Sequence, residues 1–131
     1  MLFLVAGEAR GEVLKLDEPL SFWGGVDPET GEIIDLRHPQ SGMSVKGKIL
    51  MMPFGRGSSS GSSVIAEGIR SGSGPSGIIM MEADEIIALG SIVADEIYGK
   101  AMPVVIVGKS EYESFTTGQQ VVVSGSGLSL I

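Results

Sequence analysis

Cysteine is absent from the chain and histidine occurs once. The first absence removes disulfides, thiolate nucleophiles and thiolate metal ligands together. Any iron–sulfur cluster serving this protein would have to be held mainly by another chain. One His is too few for an ordinary His-rich zinc site. Aromatic residues are only 5%, so aliphatic side chains must fill the core. Cations are also scarce: 9 Lys and Arg face 16 Asp and Glu, a net charge of −7. A field of that sign repels phosphate backbones and argues against nucleic-acid binding, though a local basic site for one small anion is compatible with it. No apolar stretch reaches the roughly 18 residues of a spanning helix, and the opening run Met1 to Ala6 is far too short. The expectation is therefore no membrane partner. A cysteine-free acidic chain without a signal sequence reads as cytoplasmic.

Hydrophobic residues make up 43% of the 131, enough for one packed core and one domain over residues 1–131. Glycine is abundant, at 20 residues. Such a content implies many tight turns or a backbone that something approaches closely.

Leu2 to Ala6 reads as a strand, Gly7 to Gly11 as a turn, and Glu12 to Leu16 as a second strand. Asp27-Pro-Glu-Thr-Gly31 has turn chemistry, with Pro early and Gly late. Glu32 to Leu36 reads as extended, and His38-Pro39 opens another loop. Lys46 to Met52 reads as a buried strand. It leads into Phe54-Gly-Arg-Gly-Ser-Ser-Ser-Gly-Ser-Ser63 and then Val64-Ile-Ala-Glu-Gly-Ile-Arg70. Val64, Ile65, Gly68 and Ile69 share one helical face. The order is therefore strand, Gly/Ser loop, helix N-terminus. Further strands are expected at Gly77–Met81, 103–107, 119–123 and 128–131. Two short helices are expected at Glu82–Leu89, with Ile86, Ile87 and Leu89 facing inward, and at Ser91–Tyr98. Strands at both ends with βαβ elements between them predict a mixed α/β, barrel-like sheet with helices packed outside it.

The Gly55 to Ser63 loop is the first chemical candidate. A helix N-terminus offers free N–H groups and a positive dipole end, and Gly55, Gly57 and Gly61 let a ligand approach the backbone. Arg56 adds a cation suited to carboxylate or phosphate. The loop lacks the Gly-Lys-Ser/Thr of a Walker phosphate loop and the third glycine of a dinucleotide fingerprint. The same residues would also serve as a serine-rich helix cap with turn glycines. No Ser-His-Asp order is present, and His38 reads as a loop residue. Ser21-Phe-Trp-Gly-Gly-Val-Asp27 is the second candidate: Trp23 beside Gly24 could wall a ligand pocket or cover one end of the core. Glu82, Asp84, Glu85, Asp95 and Glu96 form an acidic group, read as a solvated face or an N-terminal charge bias on short helices rather than a metal site.

Leu20-Ser-Phe-Trp-Gly-Gly-Val-Asp-Pro-Glu-Thr-Gly-Glu-Ile33, Gly55-Arg-Gly-Ser-Ser-Ser-Gly-Ser62 and Ile92-Val-Ala-Asp-Glu-Ile-Tyr-Gly99 occur in this order. Together they resemble the small subunit of the aconitase X family over nearly the whole chain. The resemblance implies the swivelling β/β/α domain of the aconitase superfamily. It also implies a heterodimer with a large subunit that holds a [4Fe–4S] cluster through its own cysteines. The implied activity is that of archaeal phosphomevalonate dehydratases: water is eliminated from (R)-5-phosphomevalonate to give trans-anhydromevalonate 5-phosphate in the mevalonate route to isoprenoids. The substrate is thus a small phosphorylated carboxylate. Fused bacterial relatives include enzymes acting on cis-3-hydroxyproline. The superfamily carries a serine base in a Gly-Ser-Ser loop at a helix start. Alignment on the helix start selects Ser62 as proton acceptor, and alignment on Phe54-Gly-Arg-Gly-Ser-Ser selects Ser58; Ser62 is preferred because the dipole end lies there. The aconitase loop continues Ser-Ser-Arg-Glu and this one does not, so Arg56 is an analogue of the family's arginine, not its counterpart. Arg56, Gly57, Ser58, Trp23 and Gly24 are expected to bind substrate, and no residue to bind metal. The rival readings are a stand-alone binding module for a phosphorylated metabolite and a carrier domain without chemistry.

Overall fold

The computed structural model describes residues 1–57 and 59–131. Seven strands form one mixed sheet: β1 (Leu2–Val5), β2 (Ala9–Lys15), β3 (Ile49–Met51), β4 (Gly77–Met80), β5 (Val104–Ile106), β6 (Gln120–Ser124) and β7 (Gly127–Leu130). Their order is β1-β5-β4-β3-β2-β6-β7. The four central strands, β2 to β5, run parallel, and antiparallel strands flank them on both sides. The sheet curls into a half-barrel, the mixed α/β barrel-like form expected from the sequence. Three helices accompany it: α1 (Gly61–Ser71), α2 (Glu85–Tyr98) and the short α3 (Lys109–Glu113).

Alternation along the strands builds a core on each face. Leu14, Leu50, Ile78 and Val104 point to one side, where they meet Ile65, Ile69, Ile87 and Ala94 of α1 and α2. Val13, Ile49, Ile79 and Val105 point to the other, where Tyr112, Phe115, Val121 and Val123 cover them. β3 and β4 at the centre are buried on both faces, as their continuous apolar runs require, while β2 is buried only at Val13 and Leu14.

Four local expectations need correction. Gly7 to Gly11 is not a turn, because β2 already begins at Ala9. Gly11 is inside that strand because a Cβ there would lie 2.6 Å from the Gly47 carbonyl oxygen. Glu32 to Leu36 forms no strand among the described residues; Glu32 and Ile33 make isolated bridges to Ser44 and Val26. The two short helices predicted on either side of Gly90 are one 14-residue helix. Gly90 reads locally as a break, yet it is where α1 crosses α2: a Cβ on it would lie 2.8 Å from both the Ile65 Cβ and the Ser62 carbonyl oxygen. Leu89, expected inward, is 50% exposed, and Ile87 takes the buried position. The sequence reading also missed α3.

Tyr112 of α3 is buried, and its hydroxyl has no hydrogen-bond partner among the described residues. Lys15 secures the end of this helix: its Nζ donates to the carbonyls of Tyr112 (3.1 Å) and Phe115 (3.0 Å) and lies 4.8 Å from the Tyr112 ring centre. Burial pushes the Tyr112 phenol from its ordinary 10.0 up to about 12. The unfolded chain therefore loses this proton first, and stability should fall as pH rises from 10 towards 12. Tyr112→Phe should remove that fall and raise the denaturation midpoint at neutral pH, since an unmade buried hydrogen bond costs about 1–3 kcal/mol. Urea titrations of both proteins across this range check it; a midpoint lowered by the substitution at neutral pH contradicts it.

Candidate functional site

α1 starts without a side-chain cap. Ser60 stands before Gly61 in an αR conformation, its hydroxyl caps nothing, and the first turn contains no acidic residue. The positive end of this helix thus has no carboxylate of its own first turn against it, while the Ser62 and Ser63 amides bond the Ser59 and Ser60 carbonyls at 3.2 Å. α2 differs in each respect. Its cap, Asp84, accepts from the amides of Ile86 (2.9 Å) and Ile87 (3.0 Å), and Glu85 follows in the first turn.

The two helix starts converge. A Cβ on Gly61 would lie 3.6 Å from Ile86 Cγ2 of α2 and 3.8 Å from the Trp23 backbone nitrogen. The beginning of α1, the beginning of α2 and the Ser21–Gly25 loop therefore surround one place, and Gly55 and Gly57 abut it through Asp84 and Ser21. Ser62 stands in the first turn of α1, half-buried, and its hydroxyl donates to the Ser59 carbonyl at 2.8 Å. Ser58, the other serine selected from the sequence, lies outside the described residues.

Arg56 borders the same place but is already engaged. Its backbone makes a parallel bridge with Ser21, its guanidinium donates to the Pro19 carbonyl at 3.1 Å, and Glu18 lies 3.8 Å away. Gly57 has a φ of +114°, and a Cβ on it would lie 2.1 Å from the Ser21 hydroxyl. Both the backbone angle and the space require glycine. Ser21 Oγ in turn donates to the Trp23 carbonyl at 3.1 Å. Trp23 is 59% exposed, so it does not cover the core; the adjacent Phe22 does. Gly24, with a φ of +76°, faces open space. The Ser21–Gly25 loop is the common neighbour: Ser21 abuts Gly57 and bridges Arg56, and the Trp23 backbone stands beside Gly61, the residue before Ser62.

His38 lies apart from this group. It is buried, with Nε2 3.0 Å from the Glu18 carbonyl and Nδ1 accepting from the Gln40 amide at 3.0 Å. It ties two loops together. No group of three or more His, Asp or Glu among the described residues could hold a metal. Two residues were singled out in the sequence without the part the structure gives them: Asp84, named in the acidic group, is the α2 cap ahead of the Ile86-Ile87 pair, and Ser21, the first residue of the second candidate segment, fills the space beside Gly57, a role that depends on the glycine opposite.

The sequence matches the aconitase X swivel domain family over residues 2–130. It is 51% identical over 106 residues to the cis-3-hydroxy-L-proline dehydratase of Pseudomonas aeruginosa, a match covering 81% of this chain and 18% of that protein. The chain therefore spans less than a fifth of that relative's length. It is 40% identical over 121 residues to the phosphomevalonate dehydratase small subunit of Methanosarcina acetivorans, covering 92% of this chain and 80% of that one. Among solved structures, the crystal structure of Thermococcus kodakaraensis aconitase X in its holo-form superposes with a TM-score of 0.85 at 37% identity, covering 98% of this chain and 94% of that one. With the curled mixed sheet and a serine-bearing loop at the start of α1, these matches place the chain in the aconitase X swivel domain family.

Proposed function

We propose that this chain, as one swivelling domain over residues 1–131, is the small subunit of an aconitase X-type dehydratase, with Ser62 as the proton acceptor. The observation that carries the reading is the uncapped N-terminus of α1, with the Ser62 hydroxyl in its first turn. A free serine hydroxyl is far too weakly acidic to act as a base. Helix-start amide dipoles lower the energy of the alkoxide that a base requires. Ser62, as the alkoxide, takes a proton from the carbon beside the substrate carboxylate, the double bond forms, and the hydroxyl on the neighbouring carbon leaves as hydroxide, which becomes water with the proton that Ser62 then gives up. In this reading Arg56, Gly57, Trp23 and Gly24 line the substrate, with the Arg56 guanidinium exchanging its loose approach to Glu18 for the substrate's anionic group.

This chain offers nothing that fits a [4Fe–4S] cluster: it contains no cysteine, and both nitrogens of its one histidine are engaged. The cluster, as Lewis acid for the departing hydroxyl, belongs in this reading to the large subunit. Exposed apolar residues beside the site support a partner there. The Ile34 amide bonds the Gly25 carbonyl at 2.9 Å, so Ile34 and the nearby Leu36, which is 91% exposed, flank the Trp23 loop. An apolar cluster of this kind suits a protein interface more than free surface.

The likeness to the Methanosarcina small subunit supports (R)-5-phosphomevalonate as substrate, and the 51% identity to the Pseudomonas enzyme favours cis-3-hydroxy-L-proline as the second reading. Anaerobic assay of the chain with its large subunit on both compounds decides between them, and turnover of neither refutes the dehydratase reading. In the active pair, Ser62→Ala should lower kcat by about 10²–10⁴-fold, the usual loss of a general base, with KM and folding little changed. Ser58→Ala is expected to have the smaller effect; a larger one moves the base to Ser58. Leu36→Asp should weaken subunit association about tenfold or more without shifting the thermal midpoint of the isolated chain. Unaltered affinity in a titration of the two subunits would remove Leu36 from the interface.

A further inference from the structure

The loop that leads to Ser62 is held from two sides, and each hold uses a side chain that the loop lacks. On one side Ser21 Oγ occupies the place of the missing Gly57 Cβ, as described above. On the other, Asp84 is pressed against Gly55. A Cβ on Gly55 would lie 2.2 Å from Asp84 Oδ2 and 2.7 Å from its Cγ. The carboxylate cannot readily move aside, because Oδ1 is fixed by the Ile86 and Ile87 amides at the start of α2. Gly55 has no positive φ that would itself demand glycine. The requirement at this position is space, chiefly for Asp84 and secondarily for Ile87, whose Cδ1 would lie 2.8 Å from that Cβ.

We propose that Asp84 is a positioning residue of the dehydratase site: its carboxylate, anchored on α2, sets the height of the Gly55–Gly57 backbone and so the placement of the Ser62 loop. The inference rests on the proposed function, and it assigns Asp84 no contact with substrate. Shape is the means. One oxygen binds the helix and the other forms a wall for the loop, which a carboxamide of the same outline reproduces. Asn is as good a cap as Asp. A loop displaced by even about 1 Å costs on the order of 10²-fold in rate where reacting groups must align.

The test is a double-mutant cycle on the chain with its large subunit, read as kcat and KM. A second readout is the set of amide chemical shifts of Ser59 to Ser63 in the chain alone. Gly55→Ala should lower kcat by about 10²-fold with KM little changed, and move those shifts. Asp84→Ala should lower kcat by a smaller factor. Combining them should bring kcat and shifts back close to the level of Asp84→Ala alone, because the carboxylate the new methyl met is gone and the remaining neighbour, Ile87 Cδ1 at 2.8 Å, is the movable end of its side chain. Asp84→Asn should stay within about twofold of the parent across the pH profile. Additive losses in the double variant overturn the proposal, as does an Asp84→Asn loss equal to that of Asp84→Ala, which would assign the effect to charge. If the unsubstituted pair dehydrates neither substrate, the dehydratase reading falls. The shift cycle then decides alone whether Asp84 sets the loop: unmoved shifts in Gly55→Ala and Asp84→Ala reject it.

Discussion

The site depends on the crossing of α1 over α2 at Gly90. No side chain fits there, with the Ile65 Cβ and the Ser62 carbonyl oxygen both 2.8 Å from where a Cβ would stand. This contact brings the two helix axes close enough for both N-termini to border one loop. A larger residue at this position would push α1 outward and carry Ser62 with it. A mid-helix glycine weakens a helix by about 1 kcal/mol, and here the close packing of two apolar faces offsets that loss. The functional geometry is thus fixed in the core, well away from any polar group that could do chemistry.

The two helix starts show how one backbone feature serves opposite ends. α2 satisfies its first amides with Asp84 and adds Glu85, so its dipole is spent on stability. α1 begins at glycine, has no acidic residue in its first turn and receives no cap from Ser60. Lacking a side-chain cap forgoes about 1 kcal/mol, although the Ser62 and Ser63 amides bond the Ser59 and Ser60 carbonyls at 3.2 Å. In a chain with a net charge of −7, a helix start without acidic residues is a local exception to the general acidity. The general acidity and the local site do not conflict, because the dipole's influence fades within the first turn.

Much of this was legible in the sequence. The period-two strands of the parallel centre carry continuous apolar runs, and β3, β4 and β5 lie where those runs fall. The Gly/Ser loop before α1 was visible because strand, glycines and helix periodicity follow one another within twenty-odd residues. What the sequence could not show is contact between distant segments. Gly90 looks like a helix break when only its neighbours in the chain are considered, and like a packing site once Ile65 is opposite it. Gly57 looks like a ligand-approach glycine, although Ser21 already occupies the space beside it. Trp23 could have closed the core or faced outward, and only the burial of Phe22 decides for the surface. In each case the missing information is a tertiary neighbour, which overrides local propensity.

The same reasoning bears on how such a domain can work as one part of a larger catalyst. Its own core is complete on both faces of the sheet, so the fold does not need a partner to bury its strands. Its loops are a different matter. Trp23, Ile34, Leu36 and Met43 are exposed on the segments around the Ser62 loop, while Ile33 and Val45 of the same region are fully buried. Short backbone bonds, Ile34 to Gly25 and Ile33 to Met43, hold these segments in place without help from their outward side chains. A rigid rim with apolar residues outward is suited to docking with little ordering of the loops on binding, which preserves more of the contact energy for affinity. Under the proposed function, the aim of Ser62 at a reacting carbon held by the large subunit depends on how firmly the rim seats against that partner as much as on the helix that carries it.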